Sequence, residues 1–149
     1  MFSFLRYAAA VLIVACSPLA HAAELISVGG GSHHFERDLG LNEANYGLGY
    51  ERDINDEWTW AAGVYKNSIK RASFYLLGNY YPFDLGAGFR AGLTGGLMSG
   101  YHQSPIIPML APTIEWRGKW VAIQSYVVPT VKPYVDGAII FQLKFFISH

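Results

Sequence analysis

The chain has 149 residues, of which 52% are hydrophobic and only 15% are charged. This length allows one domain, and the balance is apolar for a small soluble protein. Eleven basic and eleven acidic residues give a formal net charge of zero, which excludes nucleic acid as an electrostatically attracted partner.

The first 22 residues predict an export signal. Arg6 supplies a positive charge, residues 7–15 are apolar, and residues 20–22 hold the small residues of a cleavage site, so we expect cleavage after Ala22. The apolar run is shorter than the roughly 20 residues that a membrane-spanning helix needs. An amphipathic first helix of a soluble protein is one alternative. The only cysteine, Cys16, leaves a bacterial lipoprotein signal as another.

The rest of the chain, residues 23–149, predicts strands. No long window in it carries the three- and four-residue spacing of an amphipathic helix. Short runs alternate apolar and polar residues instead, and turn residues separate them. The eight runs cover residues 25–35, 43–54, 57–68, 70–81, 86–100, 106–117, 119–129 and 136–148. Turns are expected at Asn55-Asp56, at residues 82–84 and at Gly118.

The alternation along the runs indicates which side chains share a face. In the fifth run, one face carries Phe89, Ala91, Leu93 and Leu97, and the other carries Arg90, Gly92, Thr94 and Gly96. The last run repeats the pattern, with Phe141, Leu143 and Phe145 opposite Gln142 and Lys144. A membrane barrel turns the apolar face outward to lipid. A soluble sandwich or lipocalin-like binder buries that face, with the same period of two.

The export signal, the even number of runs and the aromatic residues near run ends favour the membrane barrel. These aromatic residues are Trp58, Trp60, Tyr80, Tyr81, Trp116 and Trp120. We therefore predict an all-β fold, an eight-stranded antiparallel transmembrane β-barrel of residues 23–149. It is expected to be monomeric and to lie in the outer membrane of a Gram-negative cell. Side chains nearly fill so narrow a barrel, which leaves space for one slim ligand and excludes an open pore.

Five prolines fall within or beside the predicted strands, at Pro105, Pro108, Pro112, Pro129 and Pro133. Proline has no backbone N–H and removes a hydrogen bond from a sheet, so we expect a weakly bonded wall near these residues. One interpretation is that they end strands at the rim of the barrel. The other is a lateral gap through which a lipid chain enters.

With these prolines, the chain resembles the outer-membrane lipid A palmitoyltransferase family over most of residues 34–147. The matching segments are Asn42-Glu43, residues 46–49, residues 88–94, the proline pair at 108 and 112, and Pro129. The resemblance implies an eight-stranded barrel that moves an acyl chain from phospholipid to lipid A. It also implies that Pro108, Pro112 and Pro129 flank lateral openings for lipid, and that no cofactor is needed.

The resemblance also implies catalytic residues. His34 matches the family histidine, with His33 less favoured, and Ser68 matches the family serine. Asn67 stands where the family has aspartate. Acyl transfer needs a positioned general base and a group that stabilises developing charge. An asparagine can orient an imidazole but cannot neutralise its charge, so this replacement puts catalysis in doubt. The other interpretation is that Asn67 and Ser68 form a turn, since both residue types favour turns.

Two residues are expected inside the lumen where the family holds its acyl chain. Alignment on Ser68 places Asn79 at the position of the glycine on the lumen floor, and Arg90 is expected to point inward as well. A polar amide and a guanidinium would disfavour a long buried hydrocarbon, so palmitate specificity is not carried over.

Three functions therefore remain open from the sequence. The first is a lipid A acyltransferase with His34, Ser68 and Asn67 at its site, and with phospholipid and lipid A as partners. The second is a non-catalytic outer-membrane barrel with a surface, structural or interaction role. The third is a soluble periplasmic binder. Metal binding is not expected, because adjacent His33 and His34 point to opposite faces of a strand.

Overall fold

The computed structural model of the protein describes residues 22–102 and 104–149. Residues 1–21, which hold Cys16 and almost all of the predicted export signal, lie outside the described residues. No helix in the described part of the chain is long and apolar enough to cross a membrane.

The described chain forms a closed antiparallel barrel of eight strands. The strands are β1 (Glu24–His34), β2 (Ala44–Asp53), β3 (Trp58–Lys66), β4 (Ala72–Gly86), β5 (Phe89–Ser99), β6 (Ile106–Arg117), β7 (Val121–Val128) and β8 (Ala138–Ser148). Each strand pairs with the next along the chain, and β8 pairs back onto β1 to close the barrel. The predicted fold class and strand number are confirmed.

One predicted turn is wrong. Residues 82–84 lie within β4, which continues to Gly86 past an irregular pairing with β5 between Tyr80 and Phe83. A bulge tolerates the missing N–H of a proline, so Pro82 does not end the strand. The turn comes later, at Ala87 and Gly88, whose φ angles are 52° and 83°. Gly86 and Gly88, with φ angles of 78° and 83°, flank Ala87 and are the residues that mark this turn in the sequence.

The barrel is apolar outside and polar inside, the reverse of a soluble protein. Phe89, Leu93 and Leu97 of β5 are exposed, whereas Thr94 is fully buried. The predicted alternation of β5 and β8 is therefore confirmed. The other fully buried polar side chains include Glu51, Thr59, Asn79, Glu115, Gln124 and Lys144. A soluble sandwich buries its apolar face, so this arrangement excludes that alternative.

The two ends of the barrel differ. Short turns at residues 54–57, 87–88 and 118–120 lie at the end where β1 begins and β8 finishes, which we call the turn end. Longer connections at residues 35–43, 67–71, 100–105 and 129–137 lie at the opposite end, the loop end. Aromatic rings gather outside the turn end, where Trp58 stacks on Tyr80 with ring centres 4.5 Å apart. This resembles the ring of aromatic residues at a membrane interface.

Charged side chains fill the lumen in the turn-end half. The Nζ of Lys144 lies 2.6 Å from Glu51 Oε2 and 2.7 Å from Glu115 Oε2. Arg117 donates to both carboxylate oxygens of Asp53, at 2.7 and 2.8 Å. We call this group, with Arg90 bound to Glu115, the charge cluster.

Above the charge cluster lies an uncharged polar layer. Asn79 donates to Thr59 Oγ1 at 2.8 Å and accepts from Thr94 at 2.6 Å and from Gln124 at 3.1 Å. Gln124 also donates to Thr113 Oγ1 at 3.0 Å. The two layers together form a polar plug across the lumen. The expectation of a narrow barrel filled by its own side chains agrees with this arrangement.

Candidate functional site

A cavity of about 520 Å³ occupies the loop-end half of the barrel. Apolar residues from several strands line its wall, among them Ile107, Met98, Met109, Val128 and Ile140. Its inner end is formed by Ser27, Tyr75, Leu77, Tyr126 and Gln142, which we call the floor. The polar plug lies directly beneath, because Asn79 follows Leu77 along β4 and Gln124 precedes Tyr126 along β7. The cavity is therefore blind at its inner end.

Tyr75 lies across the lumen at the floor. A Cβ atom added at Gly49 or Gly63 would collide with its hydroxyl, so these two glycines provide the space for the ring. The hydroxyl oxygens of Tyr75 and Ser27 are 3.2 Å apart, and Gln142 Nε2 donates to Tyr75 at 3.4 Å. A hydrogen-bonded tyrosine thus separates the cavity from the plug.

Tyr126 completes the floor on the opposite side. Its hydroxyl lies 2.7 Å from Gln142 Oε1 and 3.0 Å from Gln124 Oε1, and its one proton serves one of these two oxygens at a time. Because Gln124 belongs to the plug, the floor and the plug form one hydrogen-bonded unit. The floor is therefore a built surface with a set depth.

The pairing of the barrel wall is interrupted beside the cavity, between β6 and β7. β5 pairs with β6 along its whole length, past both Pro108 and Pro112. β7, in contrast, pairs with β6 only between residues 113–117 and 122–126. The pairing stops where Pro112 begins, which is the weak bonding expected of a proline without an N–H. We call this break the lateral gap.

The lateral gap lies beside the cavity. Pro108, Leu110 and Pro129 line the cavity, and Leu110 is also 68% exposed on the outside of the barrel. The wall is weakly bonded around Pro108, Pro112 and Pro129. Both interpretations of the prolines, strand ends at the rim and a route for lipid, stay predictions.

The predicted catalytic residues His34 and Ser68 both line this cavity, at its loop end. His34 is only 5% exposed, and its Nδ1 is buried with no hydrogen-bond partner in the described chain. Asn42 lies between the end of β1 and the β3–β4 connection. Its backbone N–H donates to Ser68 O at 2.8 Å, and its backbone oxygen accepts from Ser32 Oγ at 3.5 Å. No hydrogen bond joins His34 to Ser68 among the residues that the structure describes.

Asn67 is fully buried, and its side chain holds the β3–β4 connection. Its Oδ1 accepts from the backbone N–H groups of Ile69 and Arg71, at 3.1 and 2.9 Å. Its Nδ2 donates to Ser73 Oγ and to Gly100 O, both at 3.0 Å. An asparagine side chain offers two donors and two acceptor sites, and all four are occupied. In this geometry Asn67 is a turn residue and does not orient His34.

The other predicted site residues lie elsewhere. Asn79 belongs to the polar plug, one layer beneath the floor, so it does not touch the cavity. Arg90 lies in the charge cluster at the turn end, 2.7 Å from Glu115 Oε1 and over the ring of Tyr81. Neither lines an acyl pocket, because Tyr75 and Tyr126 close the cavity above them.

His33, the less favoured histidine, lies on the exposed rim. Arg37 Nη1 donates to its Nδ1 at 2.8 Å, and Glu43 lies beside both residues. The backbone N–H of His34 donates to Glu43 Oε1 and, with the charge of Arg37, lowers the pKa of that carboxyl. Within residues 22–102 and 104–149, no group of three or more His, Cys, Asp or Glu is placed to hold a metal ion.

Sequence reasoning missed the floor. Its members are Ser27, Tyr75, Leu77, Tyr126 and Gln142. The alternation would have placed Tyr75 on the same face as Asn79. The glycines at 49 and 63 were a further signal, since glycine inside a strand often marks a close approach by another group.

Comparisons with known proteins give the following result. No protein-family model and no curated protein matches the chain. Among solved structures, the chain is similar to the N-terminal β-barrel domain of Pseudomonas aeruginosa OprF, with 15% sequence identity and a TM-score of 0.46 over 85% of this chain and 96% of that chain. The eight-stranded architecture rests on this chain's own strand pairing.

Proposed function

We propose that this protein is a non-conducting barrel of the outer membrane that holds one apolar ligand in the cavity at its loop end. The observation that carries the proposal is a blind apolar cavity that ends on a polar plug and lies beside the break in the pairing of β6 with β7. This is the non-catalytic role among the functions left open by the sequence, now with a binding site.

The outer surface supports the membrane location. Large apolar side chains such as Phe74, Leu76, Leu97 and Phe141 are half-exposed or more on the outside of the barrel, where only lipid would cover them. Short turns at one end and long loops at the other are the usual arrangement of outer-membrane barrels, with the loops outside the cell. The cavity mouth would then face the outer leaflet.

The polar plug is the evidence against conduction of solutes, and the cavity is the evidence for binding of a ligand. The charge cluster and the layer above it cross the lumen, so solutes have no continuous path. A volume of about 520 Å³ lies within the roughly 300–1,000 Å³ of small-molecule sites. Because the lateral gap opens toward the lipid-facing surface, an apolar ligand can enter from the membrane without crossing water.

Two methionines allow a direct test. The chain has three methionines, of which Met98 and Met109 line the cavity and Met1 precedes the described residues. The barrel is labelled with ¹³C at the methionine methyls and purified in deuterated detergent. It is then titrated with n-decane. We expect both methyl resonances to shift with saturation, and an Ile140→Trp variant to lose the shift because the indole fills the cavity.

The neighbouring residue supplies the matched control. Ile139 precedes Ile140 on β8 and, by alternation, faces outward, so Ile139→Trp should leave the titration unchanged. If decane shifts neither methyl in a folded barrel, or if both tryptophan variants behave alike, the proposed binding function is wrong.

Acyl transfer from phospholipid to lipid A is the second candidate. It is favoured by the buried, unpartnered Nδ1 of His34 on the same cavity as Ser68. An imidazole nitrogen of this kind can accept a proton from an attacking hydroxyl. The side chain of Asn67 weighs against this candidate, because all of its hydrogen-bonding positions are occupied by other partners. Among the described residues, no other side-chain amide or carboxylate is hydrogen-bonded to the ring of His34, so nothing orients that ring for catalysis.

The lipid A mass profile of expressing cells decides this candidate. If acyl transfer occurs, a lipid A species with one added acyl chain should appear, and Ser68→Ala should abolish it. Ser148→Ala at the turn end is the control and should leave the species intact. An unchanged lipid A profile, with the barrel folded in the outer membrane, would remove this candidate and leave the binding function.

A further inference from the structure

Three exposed cations lie together at the loop end, in and beside the connection between β3 and β4. Lys66 is the last residue of β3, and Lys70 and Arg71 end the connection that follows it. Arg71 Nη1 lies 3.4 Å from the imidazole Nδ1 of His102. No acidic residue occurs between positions 66 and 71. We call Lys66, Lys70 and Arg71 the basic patch.

The protein itself does not neutralise the basic patch. Elsewhere at the loop end each cation has a carboxylate, since Arg37 lies 3.7 Å from Glu43 Oε2 and Lys132 forms an ion pair with Glu36. Among the described residues, which include all eleven acidic residues of the chain, no carboxylate lies within 4.0 Å of a charged nitrogen of the basic patch. A close counter-charge for this patch therefore has to come from another molecule.

The backbone of the connection presents the three cations together. Asn67 Oδ1 accepts from the backbone N–H of Arg71 at 2.9 Å, and Arg71 O accepts from the backbone N–H of Asn67 at 2.8 Å. Lys70 has a φ of 62°, in the left-handed region that glycine and asparagine adopt most readily. The shape of the turn therefore does not explain the lysine. Residues held in rarely populated conformations are frequent at binding sites.

The basic patch lies directly above an apolar part of the outer surface. Leu48, Val64 and Phe74 lie side by side on β2, β3 and β4, and all three are exposed. Lys66 comes two positions after Val64, so it shares the outward face, and it pairs with Ala72 one step nearer the loop end. A membrane lipid fits this arrangement, with its chains along the strands and its anionic headgroup at the cations.

We propose that the outer face of the β3–β4 hairpin binds a membrane lipid with an anionic phosphate headgroup, which the basic patch holds at the rim of the barrel. This site is separate from the cavity and requires only that the barrel lie in a membrane. A guanidinium can donate to two phosphate oxygens at once, and each ammonium adds a compact positive charge. A zwitterionic headgroup carries its own cation and gains less from the patch.

The test compares two lipids that differ only in the headgroup, dihexanoyl phosphatidic acid and dihexanoyl phosphatidylcholine. The barrel is labelled with ¹³C at its alanine methyls and held in a maltoside detergent, which contains no phosphate. The methyl of Ala72 reports binding because Ala72 lies opposite Lys66. We expect phosphatidic acid to bind at least about tenfold tighter, since Lys and Arg near the membrane surface attract anionic lipids. Added NaCl should reduce this preference, because exposed charges are screened.

A triple variant neutralises the basic patch. It combines Lys66→Gln, Lys70→Asn and Arg71→Gln, and asparagine suits the left-handed backbone at position 70. We expect the preference for phosphatidic acid to fall below about threefold, because the charges that distinguish the two headgroups are gone.

The matched control removes three positive charges elsewhere on the surface. It combines Arg37→Gln, Lys119→Gln and Lys132→Gln, all at exposed positions. This variant should keep the preference of the unaltered barrel. If the two triple variants lose the preference equally, the net charge of the protein attracts the lipid and the proposed site is wrong.

Two further results would overturn the proposal. Equal affinities of the unaltered barrel for the two lipids would mean that the basic patch does not recognise the charge of the phosphate. If inorganic phosphate shifts the Ala72 methyl at the same concentration as phosphatidic acid, the ligand is a free anion, because an ion makes no contact with the apolar face. Neither result affects the decane titration of the cavity.

Discussion

Replacement of Lys144 by methionine is expected to destabilise the barrel by about 3–5 kcal/mol, the usual cost of breaking a buried ion pair by removing one partner. Lys144 is fully buried and lies within 2.7 Å of both Glu51 and Glu115. Methionine keeps the length of the side chain but brings no charge. Two carboxylates would then lie in the lumen with one cation fewer to compensate them.

The measurement is the free energy of unfolding in urea, with the barrel refolded in phospholipid vesicles. Lys119→Met is the matched control, because Lys119 is exposed near the turn end and its change should alter stability by less than about 0.5 kcal/mol. A similar small loss for both variants would show that the charge cluster does not act as a buried network.

A second substitution tests the cause of the loss. Lys144→Met combined with Glu51→Gln removes one carboxylate together with the cation, and Glu115 keeps Arg90 and Arg117 as partners. Replacement of a whole buried pair is often nearly neutral, so we expect the double variant to recover at least half of the lost stability. A double variant less stable than Lys144→Met would contradict the electrostatic explanation.

A disulfide across the lateral gap is expected to slow ligand entry by at least about tenfold, which corresponds to an increase of about 1.4 kcal/mol in the entry barrier. The pairing of β6 with β7 ends at Thr113 opposite Tyr126, so the next outward-facing pair would be Pro112 opposite Val127. Cysteines at these two positions would join the strands at the point where the wall opens.

The experiment follows the exchange of n-decane at the methyl groups of Met98 and Met109, before and after reduction of the disulfide. The control places cysteines at Ile114 and Ser125, which already pair across β6 and β7. Opposite residues in an antiparallel pair lie about 4.5–5.5 Å apart at Cα, within the range that a disulfide spans. Equal exchange rates in the two oxidised variants would place the entry route elsewhere, such as the mouth between the loops.

The alternation of apolar and polar residues was enough to predict the strands and the faces of β5 and β8. The prediction succeeds because successive side chains of a strand point to opposite faces, whichever strand it pairs with. Pro108, Pro112 and Pro129 likewise indicated a weak wall, since a missing N–H is a local property. The turn predicted at residues 82–84 was wrong, because the bulge that accommodates Pro82 depends on the pairing of β4 with β5.

The candidate site depended on contacts between distant parts of the chain. Ser68 and His34 were found by resemblance, and the sequence left Asn67 open between an orienting group and a turn residue. Its contacts favour the turn, because its four partners come from its own turn, from the start of β4 and from Gly100. Tyr75 defines the depth of the cavity only because Gly49 and Gly63 leave space for its ring.

The sequence by itself therefore determined the local features of this protein: the strands, the outward apolar faces and the prolines that interrupt pairing. Only the tertiary structure decided how the lumen is filled. Lys144 meets Glu51, which is 93 positions away, because closure of β8 onto β1 sets which inward side chains share a level. That register is a property of the whole closed sheet, and no single strand contains it.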